Sequence, residues 1–187
     1  MHKLVAALVC SLTIAAPALA ERPDWWRAGG PRIRMMDARL TTLLDSGLVR
    51  SATLRTLVQR LDTSDVILYV SRSPMMPARL AGKLTWMSKA GEYRYLRAQI
   101  STDQTPDQMI ATLAHELQHA VEVADDPGVT DQRSLVELYK RIGHPSRAAV
   151  SSGWETVAAY EAGQQVRREL VSRPTVAAAR AAATDQT

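Results

Sequence analysis

The chain has 187 residues, with 23 Lys and Arg against 19 Asp and Glu and a single cysteine. That length suits one domain with a core of its own, and a formal net charge of +4 without a basic cluster excludes an electrostatic nucleic-acid binder. One cysteine, at position 10, excludes a disulfide framework and a thiolate metal site, so any metal must be held by His and carboxylate groups.

Residues 1–20 begin with Lys3, run apolar over 4–16 and close on Ala18-Leu19-Ala20, the three parts of a cleavable export signal. The apolar run is short for a membrane anchor and is followed by Pro17 and then Glu21-Arg22-Pro23. Val9 ahead of Cys10 argues against lipidation. The expectation is an exported protein, periplasmic or secreted, without stable membrane insertion once the leader is removed. Residues 21–172 are expected to form a single domain. The Ala-rich polar stretch 173–187, with Pro174 near its start, is expected to be a disordered tail.

Within the domain, residues 21–31 read as an extended lead-in, with Trp25-Trp26 packed against the domain. Residues 34–45 have helical periodicity with Gly47 as a stop, and Ser51 can cap a second helix to about Leu61. Residues 66–70, Val-Ile-Leu-Tyr-Val, form a β-rich run suited to an interior strand. Residues 80–88 and 92–100 are expected to pair as an antiparallel hairpin around Lys89-Ala90-Gly91. In its second arm Arg94, Leu96, Ala98 and Ile100 share one face, while Tyr93, Tyr95, Arg97 and Gln99 share the other.

Next comes the segment that carries chemistry. Thr105 is a good N-cap, Pro106 suits the first helical position and Asp107 favours the positive end of the dipole, so a helix runs to about Ala124. Ile110, Leu113, Leu117, Val121 and Ala124 form an apolar stripe for a core, and His115 and His119 point away from it. Histidines four apart on a helix lie one above the other and can reach one cation. Glu116, rotated by about 100°, stays off that cation but can reach a water beside it and act as a base. A turn at Asp125-Asp126-Pro127-Gly128 precedes a short helix, 134–142, capped by Thr130 or Asp131, and a last helix spans about 153–171.

Residues 112–121, Thr-Leu-Ala-His-Glu-Leu-Gln-His-Ala-Val, resemble the extended signature of the zincin metalloproteases. Thr112 stands three residues before the first His, uncharged residues surround the motif, and Val121 closes it. The resemblance covers mainly residues 105–121, with weaker support from 80–100 and 154–163. It implies Zn2+ as cofactor, His115 and His119 as ligands, Glu116 as catalytic base, and a peptide or protein as substrate, paired along an edge strand such as the hairpin's.

A catalytic zinc site takes a third protein ligand. The metzincin pattern fails here, because Asp125 stands where a third His would be and no Gly occupies 122. Glu155 is the leading candidate. On a helix it would head a stripe with Ala159, Ala162, Val166 and Leu170, in the manner of gluzincins, although Ala159 replaces the acidic residue that many gluzincins carry there. Ser152-Gly-Trp-Glu155 also reads as a capping box, and Asp125, Asp126 and Asp131 remain open as an Asp ligand. His144 and Tyr160 are candidates to stabilise a transition state, as is Tyr139. The expected fold is α+β: a small antiparallel or mixed sheet with the motif helix and a C-terminal helix. The expected function is a zinc peptidase. A zinc-binding protein without turnover and a structural module are the alternatives.

Overall fold

The computed structural model describes residues 31–77, 79–146 and 153–172. The expected leader, the Trp25-Trp26 lead-in and the tail from Arg173 lie outside the described residues. Four strands form one mixed sheet: β1 (Ile33–Met35), β2 (Val66–Ser73), β3 (Gly82–Ala90) and β4 (Tyr93–Ser101), in the order β1-β2-β4-β3. Five helices, α1 (Ala38–Arg50), α2 (Ala52–Asp62), α3 (Pro106–Asp125), α4 (Gln132–Ile142) and α5 (Val157–Val171), and a two-stranded ladder of β5 (His144–Pro145) and β6 (Trp154–Glu155) complete the α+β fold. Among the described residues no helix is long and apolar enough to cross a membrane.

The expected hairpin forms as β3 and β4, with a register shift between Trp86 and Ser88. It is only part of the sheet, because β4 also pairs in parallel with β2, and β2 with β1. Strand β3 is left at the edge, on the side where α3 passes. The two faces of β4 divide as their alternation demands: Arg94, Leu96, Ala98 and Ile100 are buried, while Tyr93, Tyr95, Arg97 and Gln99 are partly or fully exposed.

Two expectations at the start of the domain are corrected. Residues 33–35 are strand rather than helix, since three residues are too few to show a period and only pairing with Leu68–Val70 makes them a strand. The helix therefore begins at Ala38, capped by Asp37, whose carboxylate accepts from Leu40 N at 3.0 Å. Gly47 does not stop it. The helix continues to Arg50, with Gly47 buried where α1 crosses α2 and α3: a Cβ there would stand 2.5 Å from Leu54 Cδ2 and 2.8 Å from Ile110 Cγ2. Close approach, not termination, is what this glycine provides. Ser51 then caps α2, as its position suggests, by accepting from Leu54 N at 3.0 Å.

Helix α3 starts and ends close to where its caps predict. Thr105 and Gln108 exchange a capping box and Pro106 occupies the first turn. Ile110, Leu113, Leu117 and Val121 face a core shared with Leu68, Val70, Leu96 and Ile100. The C-terminal end of α3 is held by Arg94, 2% exposed, which donates to Val123 O at 2.6 Å and Asp126 O at 2.7 Å while forking onto Asp65 at 2.7 and 2.6 Å. This guanidinium satisfies carbonyls that a helix end leaves without intrahelical donors. At the other end of the domain, Glu169 on α5 accepts from Ser51 Oγ at 2.5 Å, Thr53 Oγ1 at 2.7 Å and Gln165 Nε2 at 3.0 Å.

Two outcomes test this packing. Gly47→Ala should lower stability by about 1–3 kcal/mol through overpacking, although alanine is the better helix former by about 1 kcal/mol; denaturant unfolding measures it. Burial raises the Glu169 carboxyl, but the hydrogen bonds from Ser51, Gln165 and Thr53 outweigh it and bring its pKa from 4.5 down to about 2. A depressed folded pKa contributes stability above the unfolded value and loses it as pH falls through the folded one. Glu169→Gln should therefore be less stable than wild type near neutrality, with the gap closing between pH 4.5 and about 2.

Candidate metal centre

Positions 115 and 119 lie one helical turn apart, so both imidazoles leave α3 on one side. Their ring centroids are 4.8 Å apart and their planes nearly perpendicular. Glu155 meets them from a second element: its Oε1 lies 3.4 Å from His115 Nε2 and 3.7 Å from His119 Nε2. One ligand atom from each residue falls within 4.8 Å of the others, so the three form a group that could hold a metal ion.

Glu155 arrives there by a different route from the one expected. It lies in β6, not in a helix, and α5 begins only at Val157. The N-cap is Thr156, extended at φ −116° and ψ 149°, with its hydroxyl accepting from Ala159 N at 3.1 Å. The capping-box reading of Ser152 therefore falls, and Ser152 itself lies outside the described residues. The physical reason is that Trp154 and Glu155 pair with Pro145 and His144, which keeps the backbone extended up to the cap. The stripe of Ala159, Ala162, Val166 and Leu170 is buried on α5 as expected, but Glu155 precedes it instead of heading it.

Glu116 is 2% exposed, and its Oε2 has no hydrogen-bond partner. The edge strand lies directly over it: a Cβ at Gly82 would overlap Glu116 Oε1 and stand 2.8 Å from Thr112 Cγ2, so a side chain here would displace Glu116 or Thr112. Burial, opposed by His119 and reinforced by Glu155 and Glu122, raises the Glu116 pKa to about 7. Burial followed by the charge of His119 lowers His115 to about 4. For His119 burial opposes the charged form, but the Glu122 hydrogen bond and the carboxylates of Glu116, Glu122 and Glu155 prevail, and its pKa rises. Burial also raises Glu155, against the pull of His119, its backbone bond at Thr156 and His144. No lysine or arginine contributes to any of these shifts. Three carboxylates beside two imidazoles form an acidic recess suited to a cation, and burying such charges without one is costly.

The remaining sequence candidates divide clearly. His144 is exposed and lies opposite Glu155 in the β5–β6 register. Tyr160 is 57% exposed on α5. Tyr139 is buried against the motif helix, donating its hydroxyl to His119 O at 3.1 Å with its ring edge-on to the imidazole. The Asp alternatives are engaged elsewhere: Asp125 pairs with Arg60, Asp126 with Arg141, and Asp131 caps α4.

Two residues of the site hold places the sequence did not assign them, Glu122 having been set aside as a ligand because one straight helix seldom delivers three. Glu122 Oε2 lies 2.8 Å from His119 Nδ1, and Glu122 Oε1 accepts from Thr156 Oγ1 at 2.6 Å. The spacing of three between His119 and Glu122 was a signal, since such residues are neighbours on a helix. Thr156 carried none, because its contact crosses to another element. Comparison with family models, with curated proteins and with solved structures finds no match for this chain.

Titration with a divalent ion, followed calorimetrically, is expected to show one site per chain. Replacing either histidine of the group, His115→Ala or His119→Ala, should weaken it by more than the roughly 10–100-fold that loss of a supporting hydrogen bond costs a metal site.

Proposed function

We propose that this protein is an exported zinc-dependent peptidase of the zincin kind. The observation that carries the reading is the convergence of His115 and His119 from α3 with Glu155 from β6, on the helix that also carries the partnerless carboxylate oxygen of Glu116. Two imidazoles and one carboxylate are a donor set that zinc accepts, leaving a position open for chemistry. When bound, zinc supplies Lewis acidity that polarises a carbonyl and lowers the pKa of a water. The zincin-like signature and the leader ending in Ala18-Leu19-Ala20 support the class and the periplasmic or secreted location.

The chain's own residues then divide the work. Glu116, set between the two histidines on α3, accepts a proton from the attacking water and delivers it to the leaving amine. Its Oε2 is buried without a hydrogen-bond partner, and its Oε1 is the oxygen that lies against Gly82. With the Tyr139 hydroxyl engaged at His119 O, His144, beside Glu155 on an exposed strand, is better placed than Tyr160 to donate to a developing oxyanion. An extended peptide laid along the free edge of β3 would pass close to Gly82 and hence to Glu116.

The test is turnover of an unstructured protein by the zinc-loaded enzyme. Glu116→Gln should retain zinc and lose about 10²–10⁴-fold in rate, the usual contribution of a positioned base. Equal turnover in wild type and variant would sink the assignment of the base. Stoichiometric zinc with no turnover in wild type would leave a zinc-binding protein rather than a peptidase.

A further inference from the structure

Three hydrogen bonds connect His119 to Glu155. His119 Nδ1 lies 2.8 Å from Glu122 Oε2, and since a carboxylate only accepts, Nδ1 carries the hydrogen. In the neutral ring that makes Nε2 the nitrogen with the lone pair, and Nε2 is the one that faces Glu155. The other oxygen of Glu122 accepts from the Thr156 hydroxyl at 2.6 Å. Thr156 in turn donates its backbone N–H to Glu155 Oε1 at 3.0 Å. The hydrogen bonds therefore run from His119 through Glu122 and Thr156 to Glu155, linking the two elements that bring the ligand atoms together.

Three of these four residues are buried, and Glu155 is partly exposed. His119, Glu122 and Thr156 are 6%, 9% and 2% exposed. Both oxygens of Glu122 are occupied, so it is not free to act as a fourth ligand. Thr156 has a second task at the same oxygen, accepting from Ala159 N at 3.1 Å to start α5. A change at Thr156 thus reaches the His119 tautomer through Glu122, and Glu155 through its own backbone.

We propose that Glu122 and Thr156 are the positioning pair of this metal site: Glu122 selects the nitrogen that His119 presents, and the Thr156 hydroxyl ties that choice to the placement of Glu155. The assignment rests on the reading of His115, His119 and Glu155 as ligands. It departs from the gluzincin arrangement expected of the sequence, in which support comes four residues after the ligating Glu, at the position Ala159 occupies here. The carboxylate instead sits three residues after the second histidine, on α3 itself, and the segment carrying Glu155 contributes a hydroxyl.

Chelator-competition titration of zinc on the full chain separates the possibilities, with the visible absorption of the cobalt(II)-loaded protein as a second readout that packing alone would not move. Glu122→Gln and Thr156→Val should each weaken zinc binding by about 10–100-fold and shift the cobalt bands. Thr156→Ser, which restores the hydroxyl, should stay close to wild type in both. If Glu122→Gln folds and matches wild type in affinity and spectrum, the positioning role of Glu122 is overturned. If it fails to fold, the Thr156 variants decide. A serine variant as impaired as the valine one would show that the methyl group and not the hydroxyl matters, and would overturn the coupling. Failure of wild type to bind either metal would overturn the ligand reading together with this inference, whereas normal binding by wild type and all variants removes the inference alone.

Discussion

The structure depends on how α3 is covered. Most of this 20-residue helix is buried, yet it carries His115, Glu116, His119 and Glu122 within two turns. Buried polar groups are tolerated only with partners, so the surrounding elements are arranged around that need. The β3 edge passes over Glu116 at a residue without a side chain, α4 supplies the Tyr139 hydroxyl to the helix backbone, and Thr156 at the start of α5 supplies a donor to Glu122. Glu116 Oε2 is the exception, a buried oxygen left open beside the His115–His119–Glu155 group. Exceptions of this kind are where chemistry tends to be found.

The same helix is fixed at both ends by different means. Its N-terminus is closed locally by Thr105 and Gln108, whereas its C-terminus is held from a distance by Arg94, a charged residue buried at the end of a strand face that is otherwise apolar. Because Arg94 also grips Asp65 just before β2, sheet and helix cannot shift independently along this line. That rigidity reaches the site, since a ligand pair on one helix is only as well placed as the helix against its neighbours.

Much of this was readable from local pattern. The hairpin, the split faces of β4, the caps at Ser51, Thr105 and Asp131 and the apolar stripe of α3 all follow from periodicity and side-chain hydrogen bonding within a few residues. The errors occur where a distant partner overrides the local signal. Residues 33–35 became a strand by pairing with β2, Gly47 stayed inside a helix because Leu54 and Ile110 needed the space, and Glu155 was drawn out of a helix by pairing with His144.

By itself the sequence determined the helix that presents His115, Glu116 and His119 on adjacent positions, since four-residue spacing on a capped helix needs no tertiary partner to place two imidazoles together. It also determined that cysteine has no part in the described site. Only the tertiary structure decided which carboxylate joins them and why a glycine stands where β3 passes Glu116. Those are contacts between segments 30 or more residues apart, governed by packing and by the need to satisfy buried polar groups, and neither leaves a period in the chain.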